Sequence, residues 1–135
     1  MPTYHSKCPC GALCLEVTGE PIHNHVCTCT RCQRESGGVL RHNAWFREED
    51  VRLSSGRYSV WYPRGESSPD IMKAFCPICG GGGFSRSGTY LPGAVVIAAG
   101  TFASPSFPAP DHVHWWSDRP HWIDLSVGIE RYPGN

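Results

Sequence analysis

At 135 residues, with 18% charged side chains and a formal net charge of zero, the chain carries neither the basic footprint of a nucleic-acid binder nor an acidic tail. Its 40% apolar content is enough for a buried core, and its length suits a single domain over residues 1–135. No apolar run is long enough to span a membrane, and Met1-Pro2-Thr3-Tyr4-His5 lacks the apolar stretch of a secretory signal, so the expected setting is cytoplasmic, with no membrane partner.

Fifteen glycines and twelve prolines, spread along the chain, argue against long helices. Leu13, Leu15 and Val17 alternate with Cys14, Glu16 and Thr18, the period of a half-buried strand, which Gly19-Glu20-Pro21 closes. Thr30 to Glu35 and Arg47 to Val51 suit short helical turns. Arg57 to Tyr62 predicts a strand with Tyr58, Val60 and Tyr62 on one face, and Ile71 to Phe75 a strand that runs into a cysteine pair. Gly80 to Gly83 predicts a flexible turn. Ala94 to Ala99 is a short apolar strand covered on both faces. Ile123, Leu125, Val127 and Ile129 alternate strictly and predict a last strand, with the tail fraying from Tyr132. No internal repeat is evident. The expected fold class is mainly β with short helical turns.

The eight cysteines are clustered. In a reducing compartment thiols serve metal binding or thiol chemistry more than disulfides. Cys76-Pro77-Ile78-Cys79-Gly80 has the form of a zinc knuckle: two thiols two residues apart reach one ion, and the glycine lets the backbone turn back toward the sulfurs. Tetrahedral zinc takes four ligands, and Cys8-Pro9-Cys10-Gly11 is the natural partner pair. Four thiolates leave no position for substrate, so this site reads as structural. A redox role for the Cys76/Cys79 pair is disfavoured, because no βαβ pattern surrounds it.

Cys27-Thr28-Cys29-Thr30-Arg31-Cys32 places three further thiols within six residues. Three ligands with an open fourth position is how catalytic zinc is commonly held. Cys14, His23 and His25 are the protein groups that would close the shell instead, and the spacing leaves open and closed sites equally allowed. Iron also accepts four thiolates. An open tri-thiolate zinc carries a net negative charge and acidifies water weakly; it suits a bound substrate thiolate or a polarised small carbonyl. Arg31 and Arg34 are three apart beside the thiols, as a solvated helix face or as a seat for a substrate carboxylate.

The order of these cysteine groups resembles the glutathione-dependent formaldehyde-activating enzyme family, also called the CENP-V/GFA domain. The matching stretches are Cys8-Pro9-Cys10-Gly11, Cys27 to Gly37, Phe75 to Gly80, Ala99-Gly100-Thr101-Phe102, and a tail from His112 through Trp115, Ser117 and Pro120 to Trp122. The resemblance implies an Mss4-like β-sandwich or β-tent stabilised by zinc. It implies two zinc ions per chain, a structural one on Cys8, Cys10, Cys76 and Cys79 and a catalytic one on Cys27, Cys29 and Cys32. It further implies condensation of formaldehyde with glutathione to S-hydroxymethylglutathione, a carbon–sulfur lyase activity. The chain departs from the family pattern at Thr28, where histidine is frequent, and at Gly81, where a small hydroxyl residue is usual.

Among the remaining residues, Cys14 reads as a packed or idle thiol. His23 and His25 read as proton carriers beside the trio or as surface groups. The aromatic tail of His112, His114, Trp115, Trp116, His121 and Trp122 reads as core packing or a pocket wall. The expected function is a zinc enzyme joining a glutathione-like thiol to a small aldehyde. The competing expectation is a non-catalytic zinc module for structure or protein interaction. Nucleic acid is not an expected partner, and the oligomeric state, homodimer included, is left open.

Overall fold

The computed structural model describes residues 1–64 and 70–135. Among these the chain is mainly β, with eleven strands in two open sheets and few, short helices. The smaller sheet joins β1 (Thr3–Lys7), β2 (Cys14–Thr18) and β5 (Val51–Ser55) in antiparallel pairs. The larger contains β3 (His23–Cys27), β4 (Arg41–Arg47), β6 (Ser59–Trp61), β7 (Met72–Phe75), β8 (Phe84–Ser87), β9 (Leu91–Ala98), β10 (His112–His114) and β11 (Glu130–Arg131). Its order is β11-β10-β3-β4-β9-β8-β7-β6, so β4 and β9 are central. Among the described residues the single α-helix, α1 (Thr30–Ser36), leaves the end of β3.

The larger sheet has two unlike faces, because successive side chains on a strand point to opposite sides. One face carries Ala44, Phe46, Ala74, Phe84, Val95 and Ile97, which pack with Leu15 and Val17 of the smaller sheet and with Phe102. Val17, Ala44, Phe46, Val95 and Ile97 are fully buried, so this is the main hydrophobic core. The opposite face is polar at one end: Cys27 lies across from Arg41, His25 from Asn43 and His23 from Trp45. The parallel pairing of β10 on β3 adds His112 beside His25 and His114 beside Cys27. This second face is left for the site.

The strands expected at Leu13–Thr18 and Ile71–Phe75 form within a residue of their anticipated bounds, as β2 and β7. That over Arg57–Tyr62 shortens to β6, and that over Ala94–Ala99 starts earlier, at Leu91. The Thr30–Glu35 helix extends to Ser36, where Gly37 at φ 70° closes it. The Arg47–Val51 turn is a 3-10 turn over Glu48–Asp50.

Two expectations at the C-terminal end are corrected. Residues 123–129 form no strand despite their alternation. Arg131 accounts for this: its guanidinium donates to the Ile129 and Leu125 carbonyls at 2.6 Å each, occupying acceptors that a neighbouring strand would need. Val127 is left 96% exposed. Nor does the tail fray at Tyr132. The Tyr132 amide donates to the Val113 carbonyl and the Trp115 amide to the Gly134 carbonyl, both at 2.9 Å.

The glycine run is a packed turn, not a flexible one. A Cβ on Gly81 would lie 2.5 Å from Cδ of Pro9, and one on Gly83, at φ 102°, would overlap the Ala74 carbonyl. Pro9, which sits between the first two cysteines, thus leaves no room for a hydroxyl side chain at position 81. Gly81→Ser is expected to destabilise the fold by about 1–3 kcal/mol through overpacking. In a Pro9→Ala background the same substitution should cost much less, a non-additivity that a four-member thermal-denaturation cycle measures.

Candidate functional site

All eight cysteines are free thiols, and seven fall into two groups. The Sγ atoms of Cys8, Cys10, Cys76 and Cys79 lie within 4.8 Å of one another. Cys8 to Cys10 is 3.6 Å and Cys10 to Cys76 is 3.7 Å. With metal–sulfur bonds of about 2.3 Å, a tetrahedral thiolate site has sulfur–sulfur edges of roughly 3.8 Å, so these residues fit such an ion. Two similar turns present them. The Gly11 amide donates to the Cys8 carbonyl at 2.9 Å and the Gly80 amide to the Cys76 carbonyl at 2.8 Å. Sulfurs also accept from the backbone, Cys8 from the Leu13 amide at 3.2 Å and Cys76 from the Ile78 amide at 3.4 Å. The Leu13 amide is the main cause that brings the Cys8 thiol down to about 6.

Cys27, Cys29 and Cys32 form the second group, again within 4.8 Å. Cys27 ends β3. Cys29 caps α1, its Sγ accepting the Cys32 amide at 3.3 Å, and Cys32 lies in the first turn. The thiols share protons unequally. The hydrogen bond from Cys27 brings Cys32 to about 6, with Cys29 and Arg41 adding to it, and Cys27 is pushed up by the same bond and by burial. Among the described residues, no histidine, cysteine, aspartate or glutamate joins the three at that distance. Cys14 is apart, its thiol donating to the Gly11 carbonyl at 3.3 Å. His23 and His25 share the sheet face with Cys27 but do not complete its shell.

The trio borders a cavity of about 890 Å³ built on the polar face of the larger sheet. Arg31 and Glu35 from α1, Arg41, Asn43 and Trp45 from β4, and Lys73 from β7 line it with the histidines of β3 and β10. Glu35 is a hub for three cations: Arg31 Nε at 3.2 Å, Arg41 Nη1 at 3.0 Å and Lys73 Nζ at 2.9 Å. Burial alone would raise its carboxyl, yet Lys73, Arg41 and Arg31 together hold it below its ordinary value. Burial, with Arg41 nearby, lowers the Lys73 ammonium. Arg31 Nη2 is buried with no acceptor among the described residues. Burial and the neighbouring histidines bring His25 to about 4, so it is neutral near pH 7.

The sequence placed Arg31 and Arg34 together beside the thiols, and the structure separates them. Arg31 turns into the cavity, whereas Arg34 is exposed on the far side of α1. Glu35, Arg41 and Lys73 were not anticipated. The spacing of Arg31 and Glu35, four apart on a helix, was a readable signal. Arg41 and Lys73 arrive through sheet register, which spacing does not reveal. Thr28 has a structural role: it is fully buried, and its hydroxyl donates to the Trp115 carbonyl at 2.5 Å. Gln33 adds a second tie, donating to the carbonyls of Thr28 at 2.8 Å and Asp118 at 3.0 Å. Together they fasten the thiol loop to the C-terminal segment.

Glu35→Gln should destabilise the protein by about 2–3 kcal/mol at neutral pH, by leaving three cations without their carboxylate. Because the folded value of Glu35 is depressed, its contribution is present above the unfolded value of about 4.3 and lost as pH falls through the lower folded one. Denaturant titrations across this range should show the difference between the parent protein and the variant shrinking below about pH 4.

Comparison with known proteins gives the family and the fold. A family model described as glutathione-dependent formaldehyde-activating enzyme matches residues 3–119. A crystal structure of a Rhodobacter sphaeroides protein superposes with a TM-score of 0.56 at 20% identity, over 72% of this chain and 85% of that one. The likeness extends to the fold. Among the described residues no helix is long and apolar enough to cross a membrane.

Proposed function

The chain belongs to the glutathione-dependent formaldehyde-activating enzyme family, and on that premise we propose that it is a zinc-dependent carbon–sulfur lyase that joins a small aldehyde to an anionic, glutathione-like thiol. One observation carries the reading: the three thiols of Cys27, Cys29 and Cys32 converge at a cavity with no fourth protein ligand among the described residues, whereas the four thiols of Cys8, Cys10, Cys76 and Cys79 converge on a closed set. The closed set serves the fold, with both pairs held in tight turns. The open set serves chemistry.

Bound to the trio, zinc would supply Lewis acidity and hold a thiol in its ionised form at neutral pH. The reaction needs no oxidant. A carbon–sulfur bond forms as substrate sulfur attacks the carbonyl carbon, the carbonyl π pair moves to oxygen, and oxygen takes a proton. The chain's own residues do the positioning. A zinc tri-thiolate and Glu35 each carry one negative charge, and Arg31, Arg41 and Lys73 carry three positive ones. One positive charge is left over, which suits a carboxylate on the thiol substrate. Arg31, whose side chain lines the cavity and is 38% exposed, is the residue best placed to take it. Trp45, Leu91 and Val96 supply an apolar wall that limits water around the reacting groups.

The test uses zinc-loaded protein with formaldehyde and glutathione, following adduct formation by NMR exchange. Cys29→Ser should abolish acceleration while leaving thermal unfolding nearly unchanged. Cys79→Ser should instead abolish cooperative folding, since the energy of a structural thiolate site is folding energy. Acceleration by Cys29→Ser equal to that of the parent would overturn the reading. Arg31→Gln should raise KM for glutathione about tenfold and leave KM for a neutral thiol unchanged.

A further inference from the structure

The reaction proposed above makes no use of the cavity wall opposite the cations, where three histidines gather. His25 on β3 stacks on His112 of β10 with ring centroids 5.4 Å apart and meets His114 edge-on at 5.1 Å. His112 and His114 lie two apart on one strand, so both point into the cavity. Their Nε2 atoms face each other at 3.0 Å. The other ring nitrogen of His112, Nδ1, is 2.5 Å from Oδ1 of Asp111. A carboxylate there accepts a hydrogen bond from Nδ1–H and leaves a lone pair on Nε2, the arrangement that orients metal-binding histidines. Nδ1 of His114 is buried and has no hydrogen-bond partner among the described residues. Nε2 of His114 therefore carries the proton and donates to Nε2 of His112, and an ion held by both nitrogens would replace that hydrogen bond and move the His114 proton to Nδ1.

We propose that His112 and His114 form a second kind of metal site in this cavity, a nitrogen-donor chelate for a borderline divalent ion such as zinc, nickel or cobalt. With metal–nitrogen bonds of about 2.0–2.1 Å, the observed separation corresponds to an angle at the metal of roughly 95°, suited to two adjacent positions of one ion. Imidazole is the side chain that such ions favour where thiolate is absent. The remaining positions face the cavity and are open to water or to an oxygen donor of a bound molecule. His25 stands beside the pair, but its nitrogens do not converge with theirs. The inference is independent of the lyase reading, because it uses neither the thiols nor the cations.

Equilibrium dialysis of zinc-loaded protein against free zinc tests it. The two cysteine groups account for two equivalents, and the histidine pair predicts a third, weaker one. Nitrogen-15 imidazole spectra should show Nε2 of His112 and His114 as the atoms that shift on its addition. His112→Asn combined with His114→Phe should lose the third equivalent, keep the first two and retain the parent's thermal midpoint. The single His112→Asn variant, which retains more of the wall, should weaken it by at least tenfold. His23→Gln, which removes an exposed histidine of the same face, should leave it unchanged. Absence of a third equivalent in the parent, its survival in the double variant, or its loss in His23→Gln would each overturn the proposal.

Discussion

Four sulfurs from two distant parts of the chain meet at one point, and most of the architecture follows from that meeting. Cys8 and Cys10 follow β1, an edge strand of the smaller sheet, and Cys76 and Cys79 follow β7 in the larger one. Their convergence ties the two sheets together at one end, with Leu13 buried against Cys8 and Cys76. A chain this small, with short strands and little helix, has a modest core to oppose its conformational entropy. A metal ion held by these four thiols would cross-link the sheets and offset part of the deficit. The convergence also imposes tight local geometry. Pro9 leaves no room for a side chain at position 81, and the close approach of Ala74 requires glycine at 83.

The large sheet then divides its labour between two faces. Phe46, Val95 and Ile97 face the smaller sheet and supply the hydrophobic stabilisation. Residues one position away, Trp45, Val96 and their neighbours, face the cavity. A strand in such a sheet is committed twice: a shift of register by one residue would exchange core and site. The cavity is thus floored by the central strands β3, β4 and β9, and the turn into α1 adds Cys29 and Cys32. Helix α1 approaches from outside the sheet, and it is pinned at both ends, by Cys29 as its cap and by Gln33 and Glu35 through their contacts.

Much of this was legible in the amino-acid order, for identifiable reasons. Cysteines at short spacing must act together, so both sulfur groups could be read without knowing the fold. Strand β2 was legible because Leu15 and Val17 alternate with polar residues over one buried face. Strand β4 was not, since Arg41, His42 and Asn43 hide the alternation that only Ala44 and Phe46 display. The 123–129 segment failed in the opposite sense. Its alternation is real, but the backbone acceptors that a strand would offer are taken by the Arg131 guanidinium. The cluster around Glu35 was hidden because two of its cations come from β4 and β7, brought near by register and not by proximity along the chain.

Strand β3 lies between β4 and β10, and β10 is held in turn by β11 and by the Tyr132 amide. During synthesis β4 emerges soon after β3, but its other neighbour emerges almost ninety residues later. Until then Thr28 has no Trp115 carbonyl to bind, and the loop bearing Cys29 and Cys32 lacks its anchor. The three thiols of that loop therefore gain their anchor only after β10 and the segment that follows it have docked on β3.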